Sequence, residues 1–234
     1  MTETSLSTKV VIVGGGPAGL MLAIELGRRD IPTILLNDNP ATAIQPQANA
    51  TQARTMEYFR RLGFVDEVRD LGLPPDYPTD ITYFTRYSTH ELARFQLPTR
   101  AEAKHMARGL SGSWSAAEVP HRCSQMFIER VLFQQARALA SVTLMFGWRV
   151  SEVSLDPDGV ELRAAQRDGG GRCRVSADYV VGCDGPRSLV RTTLGISYGG
   201  SAGEVRDFFG GRMHAVYFRS AEFYDVVARP KAWM

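Results

Sequence analysis

Three glycines at fixed spacing carry the first chemical signal. Gly14-Gly15-Gly16-Pro17-Ala18-Gly19 fits the pattern G-x-G-x-x-G, with glycines at 14, 16 and 19. In such a turn Gly14 permits a tight bend, Gly16 lets backbone approach a pyrophosphate, and Gly19 lets a helix pack closely on a strand. Pro17 and Ala18 open that helix, whose free N–H groups face the phosphate charge. The chemistry predicted is recognition of a dinucleotide, and it depends on a strand before the turn and a helix after it.

An acid at the end of the next strand would hold the adenosine ribose hydroxyls. The sequence there reads Leu36-Asn37-Asp38. Asn37 takes the position, and its amide can accept from a hydroxyl without charge assistance. Asp38 either substitutes for it or begins an Asn-Asp-Asn-Pro turn. A further carboxylate, Asp184, follows the buried run Tyr179-Val180-Val181-Gly182. That places it at the carboxyl end of a strand, where ligands of doubly wound sheets bind.

Other reactive side chains form no constellation. Cys123, Cys173 and Cys183 lie far apart without a C-x-x-C pair, so they are expected to be reduced thiols, with no metal site and no disulfide framework. His90, His105, His121 and His214 are scattered. Arg187 and Arg191 either meet phosphates or cap a helix, and Tyr83, Phe84, Tyr87, Phe208, Phe209, Tyr217 and Phe218 either line an aromatic pocket or form cross-strand pairs.

The elements that must position these residues begin with a β-branched run, Lys9 to Val13. A helix is predicted from Pro17 to Arg29 on the spacing of Leu20, Ala23, Ile24 and Gly27, then a buried strand from Pro32 to Leu36. This β-α-β unit opens a doubly wound sheet. Helices are expected from Arg54 to Leu62, stopped at Gly63, and on to Leu71. A hairpin follows, Ile81 to Tyr87 with His90 to Leu97. Residues 99 to 120 read as a mobile loop. A helix from Ser124 to Ala140, capped by Ser124, and a strand from Val142 to Val150 come next, then a meander turning at Asp156-Pro157-Asp158-Gly159.

Composition narrows the class. The 234 residues are 44% apolar and 22% charged with a net charge of +2, which excludes disorder and gives no electrostatic footprint for nucleic acid. No apolar stretch is long enough for a membrane span, and the N-terminus lacks a signal-peptide pattern, so a cytoplasmic protein with a small-molecule partner is expected.

The glycine turn, a D-G-x-x-S-x-x-R segment at Asp184, Gly185, Ser188 and Arg191, and Gln125 on the intervening helix together resemble the flavin-dependent aromatic hydroxylases of the para-hydroxybenzoate hydroxylase type. Residues Gln47 to Glu57 are similar to the phenol and chlorophenol monooxygenase branch. The resemblance covers essentially the whole chain. It implies an α/β fold: an FAD-binding, Rossmann-like domain (1–75 and 119–190) interleaved with an incomplete antiparallel-sheet substrate domain (76–118 and 191–234).

It also implies roles. Gly14, Gly16 and Gly19, with Pro17 and Ala18, would face the FAD pyrophosphate, Asn37 and Asp38 the adenosine ribose, and Gln47 and Gln125 the ribityl and phosphate region. Asp184 and Gly185 would lie on the ribityl or pyrophosphate side. Asn49 stands where phenol hydroxylases carry an acid near the substrate hydroxyl, and an amide there cannot serve as a base. The implied reaction is hydroxylation of a phenolic substrate by NAD(P)H and O2 through a flavin hydroperoxide, the cofactor supplying the reactive oxygen.

The family's later G-D-A-A-H string is absent from these 234 residues, so an N-terminal portion of a longer enzyme, or a short remnant, is expected. A non-catalytic FAD- or nucleotide-binding fragment and an NAD(P)-binding reductase stay open beside the monooxygenase. Homo-oligomerisation is also left open.

Overall fold

The chain was analysed as a computed structural model that describes residues 3–45, 47–86, 89–109, 116–200, 210–211, 216–227 and 230–233. Tyr87, Phe208, Phe209 and His214, singled out above, lie outside them. Two compact units emerge, residues 1–46 with 126–210 and residues 47–125 with 211–234. Both divide the chain at points other than the domain limits read from the sequence.

The first unit is built on a six-stranded sheet. In chain order it holds β1 (Glu3–Val13), α1 (Pro17–Gly27), β2 (Thr33–Asn37), then β7 (Val142–Phe146), β8 (Trp148–Asp156), β9 (Gly159–Gln166), β10 (Arg172–Gly182) and the short α6 (Leu189–Thr193). The strand order is β7-β2-β1-β10-β9-β8. β7, β2, β1 and β10 run parallel, and β9 and β8 continue the sheet antiparallel. The chain leaves β1 toward β2 and β7 on one side, and β10 returns on the other. The strand order therefore reverses between β1 and β10, and the crevice outside their carboxyl ends is the ligand position of such sheets.

Burial explains this arrangement. Val11, Val13, Ile34 and Leu36 join Val160, Leu162, Val175 and Val190 in one apolar core. Their fully buried neighbours Ile12 and Leu35 point to the opposite face, as alternation along a strand requires. On α1 the buried residues are Gly19, Leu20, Ala23, Ile24 and Gly27. Both faces of Val10–Val13 at the end of β1 and of Ile34–Leu36 in β2 are thus covered, and these stretches are correspondingly apolar, whereas the first half of β1 is polar and largely exposed.

The second unit holds β3 (Ala50–Thr51), α2 (Ala53–Leu62), α3 (Val65–Asp70), β4 (Ile81–Arg86), β5 (His90–Phe95), α4 (Arg100–Gly109), β6 (His121–Arg122) and α7 (Phe223–Val226). The unit boundary falls at the first residue of α5 (Gln125–Arg137). β4 and β5 form the expected hairpin, and Tyr83 and Phe95 pair across it edge to face with ring centroids 5.8 Å apart.

Three expectations need correction. Residues 100–109 of the predicted loop are α4, begun by a capping box in which Thr99 and Glu102 exchange hydrogen bonds: Thr99 N donates to Glu102 Oε2 at 2.8 Å, and Glu102 N to Thr99 Oγ1 at 3.3 Å. The predicted strand 142–150 is two strands, because Gly147 turns the chain with φ +81°. Ser124 does not cap its helix; its Oγ is buried with no hydrogen-bond partner among the described residues.

Candidate cofactor site

The carboxyl ends of three parallel strands are tied together at the glycine turn. Gly14 N donates to Leu36 O at 2.8 Å, and Cys183 N donates to Val13 O at 2.7 Å. Gly14 takes φ +109°, and a Cβ there would run into the Cys183 carbonyl. A Cβ on Gly19 would run into the Gly14 carbonyl. These two glycines are required by backbone approach within the protein itself.

Gly16 is different. A Cβ there would meet nothing within 4 Å, and its backbone is extended at φ −77°, ψ −173°, a conformation any residue can take. Space beside this glycine is therefore not used by the fold. The same residue is the N-cap of α1, which has no side-chain cap and no acid in its first turn. Leu20 N reaches Gly16 O at 3.0 Å, so Ala18 and Gly19 N–H lack partners one turn back, and Pro17 has no N–H to satisfy. Open backbone, unspent amides and the positive end of an 11-residue helix together fit a phosphate group.

Asn37, last residue of β2, holds the turn from the other side. Its Oδ1 accepts from Gly15 N at 2.9 Å, and its Nδ2 donates to Asn39 O at 3.0 Å. Asp38 beside it receives Arg149 through Nε at 3.0 Å and Nη2 at 2.9 Å. That bidentate contact holds the Asp38 carboxyl below the usual carboxylate range. The loop that follows is anchored from α5, where Glu129 Oε2 accepts from Ala43 N at 2.8 Å. Glu129 is 4% exposed, and the sequence reading missed it. The available signal was an acid within the apolar stripe of a helix.

Asp184 stands one residue beyond Cys183. Its Oδ2 accepts from Leu189 N at 2.7 Å, capping α6 together with Ser188 Oγ, which accepts from Arg191 N at 3.0 Å. Its Oδ1 is buried and has no partner among the described residues. A buried oxygen without a donor is costly, so this atom marks a place for a hydroxyl or amide of a ligand. Gly185 follows at φ +80° and is exposed. Arg191 donates to Pro186 O and Ile196 O and lies over the Tyr198 ring, so it is used locally. Burial and the Asp184 carboxylate push the Cys183 thiol up, away from a reactive thiolate.

Gln47, Asn49 and Gln125 belong to the second unit. Backbone bonds bring their segments together: Gln125 N donates to Ala48 O at 2.8 Å, Cys123 N to Asn49 O at 3.1 Å, and β3 pairs with β6. Gln47 and Asn49 are both exposed. Among the described residues no group of three His, Cys, Asp or Glu could hold a metal, and no helix is long and apolar enough to cross a membrane.

Comparison with known proteins agrees with this geometry. The profile of the FAD binding domain family matches residues 7–231. The FAD-dependent monooxygenase apdD of Emericella nidulans is 29% identical over 233 residues, which is 99% of this chain and 36% of the relative. The 2,4-dichlorophenol 6-monooxygenase of Cupriavidus pinatubonensis is 29% identical over 200 residues, 86% of this chain and 33% of the relative. The crystal structure of the flavin-dependent monooxygenase PieE in complex with FAD and substrate superimposes with a TM-score of 0.73 at 30% identity, covering 84% of this chain and 33% of that one. The chain spans about a third of the length of these relatives.

Proposed function

The chain belongs to the FAD binding domain family, and from that premise we propose that it is the FAD-holding part of a monooxygenase that hydroxylates a phenolic substrate at the expense of NAD(P)H and O2. The observation that carries this reading is the glycine turn, where Gly16 leaves space that the described residues do not use while Asp184 Oδ1 has no donor among them. FAD, reduced by NAD(P)H, would supply the activated oxygen, which is the reason no nucleophile or metal cluster is needed from the protein.

The protein's own contribution is binding and orientation. Ala18 and Gly19 N–H and the α1 dipole would hold the pyrophosphate, with Gly16 admitting it to contact distance. Asn37 keeps Gly15 in place, and with Asp38 borders the position proposed for the adenosine ribose. Asp184 Oδ1 would accept from a ribityl hydroxyl, with Gly185 beside it. Gln47 and Gln125 are proposed for the ribityl and phosphate region, and Asn49 for hydrogen bonding to the substrate hydroxyl without taking its proton. The phenolic class is supported by the sequence resemblance of residues 47–57 and by the name of the dichlorophenol-hydroxylating relative.

The test is substrate-stimulated oxidation of NADH or NADPH by the FAD-loaded chain, with product analysed for an added hydroxyl. Stimulation by a phenol with hydroxylated product supports the proposal. Flavin binding with no stimulation by any phenol would replace it with a non-catalytic flavin-binding role. Tight binding of NAD(P) in preference to FAD would replace it with the reductase reading.

A further inference from the structure

In the first unit, β2 and β7 end in a polar rim beside the glycine turn. The two strands pair with Asn37 opposite Phe146, so Asp38, Asn39 and Gly147 follow beyond their carboxyl ends. Gly147 N donates to Asn39 O at 3.0 Å and Arg167 N to Gly147 O at 2.9 Å, while Arg167 Nη1 donates to Asn39 Oδ1 at 3.2 Å. Arg149, the second residue of β8, reaches back to this rim and meets Asp38.

The contact with Arg149 changes what Asp38 can do. Arg149 Nε donates to Oδ1 at 3.0 Å and Nη2 to Oδ2 at 2.9 Å, so both carboxylate oxygens are engaged, and Arg167 Nε stands 3.8 Å from Oδ1. An acid that reads ribose hydroxyls turns its oxygens toward them. Asp38 turns them to arginine, and Asn37 is committed to Gly15 N and Asn39 O. The Arg149 and Asp38 side chains are 59% and 42% exposed, and an ion pair so exposed contributes little to stability. Its consequence is geometric. A bidentate contact fixes the plane of the guanidinium, and among the described residues no aromatic ring covers either face of that plane.

A guanidinium with a fixed plane and open faces is complementary to a flat π-system. In a β-α-β unit the adenosine of a dinucleotide extends from the pyrophosphate at the first turn toward the end of the second strand. Asn37 bonds that turn at Gly15 and directly precedes Asp38, so the Arg149 plane stands at this end of the crevice. The flat group a dinucleotide brings there is its purine ring.

We propose that Arg149, held flat by Asp38, is the platform on which the adenine ring of the bound dinucleotide stacks, and that Asp38 acts through Arg149 and not on the ribose. Asp38 is then a positioning residue. The platform rests on the flavin reading of the glycine turn and departs from the ribose contact that the family pattern assigns to this end of β2.

The test is calorimetric titration of the full 234-residue chain with ADP and with 2′-deoxy-ADP, beside fluorescence titration with FAD. ADP and its 2′-deoxy analogue bind within about twofold of each other, whereas a carboxylate accepting from the 2′-hydroxyl would weaken the analogue at least about tenfold. Arg149→Ala weakens ADP and FAD alike by at least about fivefold. Arg149→Lys keeps the charge, lacks the plane and weakens both ligands as much. Asp38→Ala weakens ADP in the wild-type background and adds no further loss to Arg149→Ala. Neither side chain is buried, so the circular dichroism spectra of these variants stay as in the wild type. Rescue by Arg149→Lys, a loss of about tenfold for 2′-deoxy-ADP, or an Asp38→Ala effect that persists without Arg149 overturns the proposal. A chain that binds ADP in the expected pattern and not FAD keeps the platform and sinks the flavin reading. One that binds FAD equally with and without Arg149 keeps the flavin reading and sinks the platform, and one that binds neither ligand sinks both.

Discussion

The side-chain oxygen of Asn37 accepts the backbone N–H of Gly15 at 2.9 Å across the end of the sheet. The residue expected to address a ribose is thus first a fastener of the phosphate turn. Gly15 is buried, so removing its acceptor leaves an amide without a partner. Asn37→Ala should lower stability by about 1–3 kcal/mol, and Asn37→Asp, which keeps the acceptor, should lose less. Urea melts of both variants check this. Equal loss in the two would remove Asn37 from the turn's support.

Gly16 and Gly14 separate ligand binding from folding. Gly16→Ala places a methyl group in space the protein does not occupy, and its backbone angles suit alanine. Its stability should stay level or rise by under about 1 kcal/mol, while affinity for FAD falls at least about tenfold because the methyl blocks the pyrophosphate. Gly14→Ala instead collides with the Cys183 carbonyl at positive φ and should cost about 2 kcal/mol or more. Thermal melts with flavin titrations distinguish the two. A Gly16→Ala chain that binds FAD as the wild type does would deny that the turn contacts a phosphate.

Asp184 divides its two oxygens between the fold and the proposed ligand. Oδ2 caps α6 through Leu189 N, while Oδ1 is buried and unpartnered among the described residues. Asp184→Ala should lose both stability and flavin. Asp184→Asn can keep the cap through its carbonyl oxygen but presents an NH2 group where an acceptor is needed. It should melt within about 1 kcal/mol of the wild type and bind FAD at least about tenfold more weakly. Unchanged flavin affinity in Asp184→Asn would assign the residue to helix capping alone.

His121 makes folding sensitive to acid. Its pKa lies at about 4 in the folded chain, below its ordinary value of 6.5, because burial disfavours the imidazolium. Between those values the unfolded chain binds a proton that the folded one does not, so stability rises with pH through this window and is complete above it. The loss on going from pH 7 to pH 4 is on the order of 3 kcal/mol from this group. His121→Asn should flatten the part of the stability profile between pH 4 and 6.5 measured by urea melts. An unchanged slope in that variant would place the acid sensitivity elsewhere.

Much of the nucleotide-binding unit is legible in local sequence because its signals are local. A β-branched run, three glycines and an apolar helix stripe specify β1, the turn and α1 within residues 3–27. The route from β2 to β7 and back to β10 is not local, yet the apolar run 179–182 and Asp184 after it marked the far side of the crevice. The run is not the buried strand expected: Tyr179 is 63% exposed, Gly182 is exposed, and Val180 and Val181 are half-buried. What escaped was set by tertiary contact. α4 has an apolar periodicity weakened by charged residues, and its start is a capping box at Thr99 and Glu102 that a Gly-Ser-rich neighbourhood obscured. Glu129 became visible only when its carboxylate was seen to hold Ala43, 86 residues earlier in the chain. Arg149 is likewise remote from Asp38 in sequence, so no spacing rule could announce their pairing.

The central claim is that the glycine turn and Asp184 hold FAD, and titration of the purified chain with FAD tests it most directly. The account predicts saturable quenching of flavin fluorescence with a shifted visible absorption band, both weakened in Gly16→Ala. Absence of quenching and of any band shift up to high micromolar FAD would contradict it.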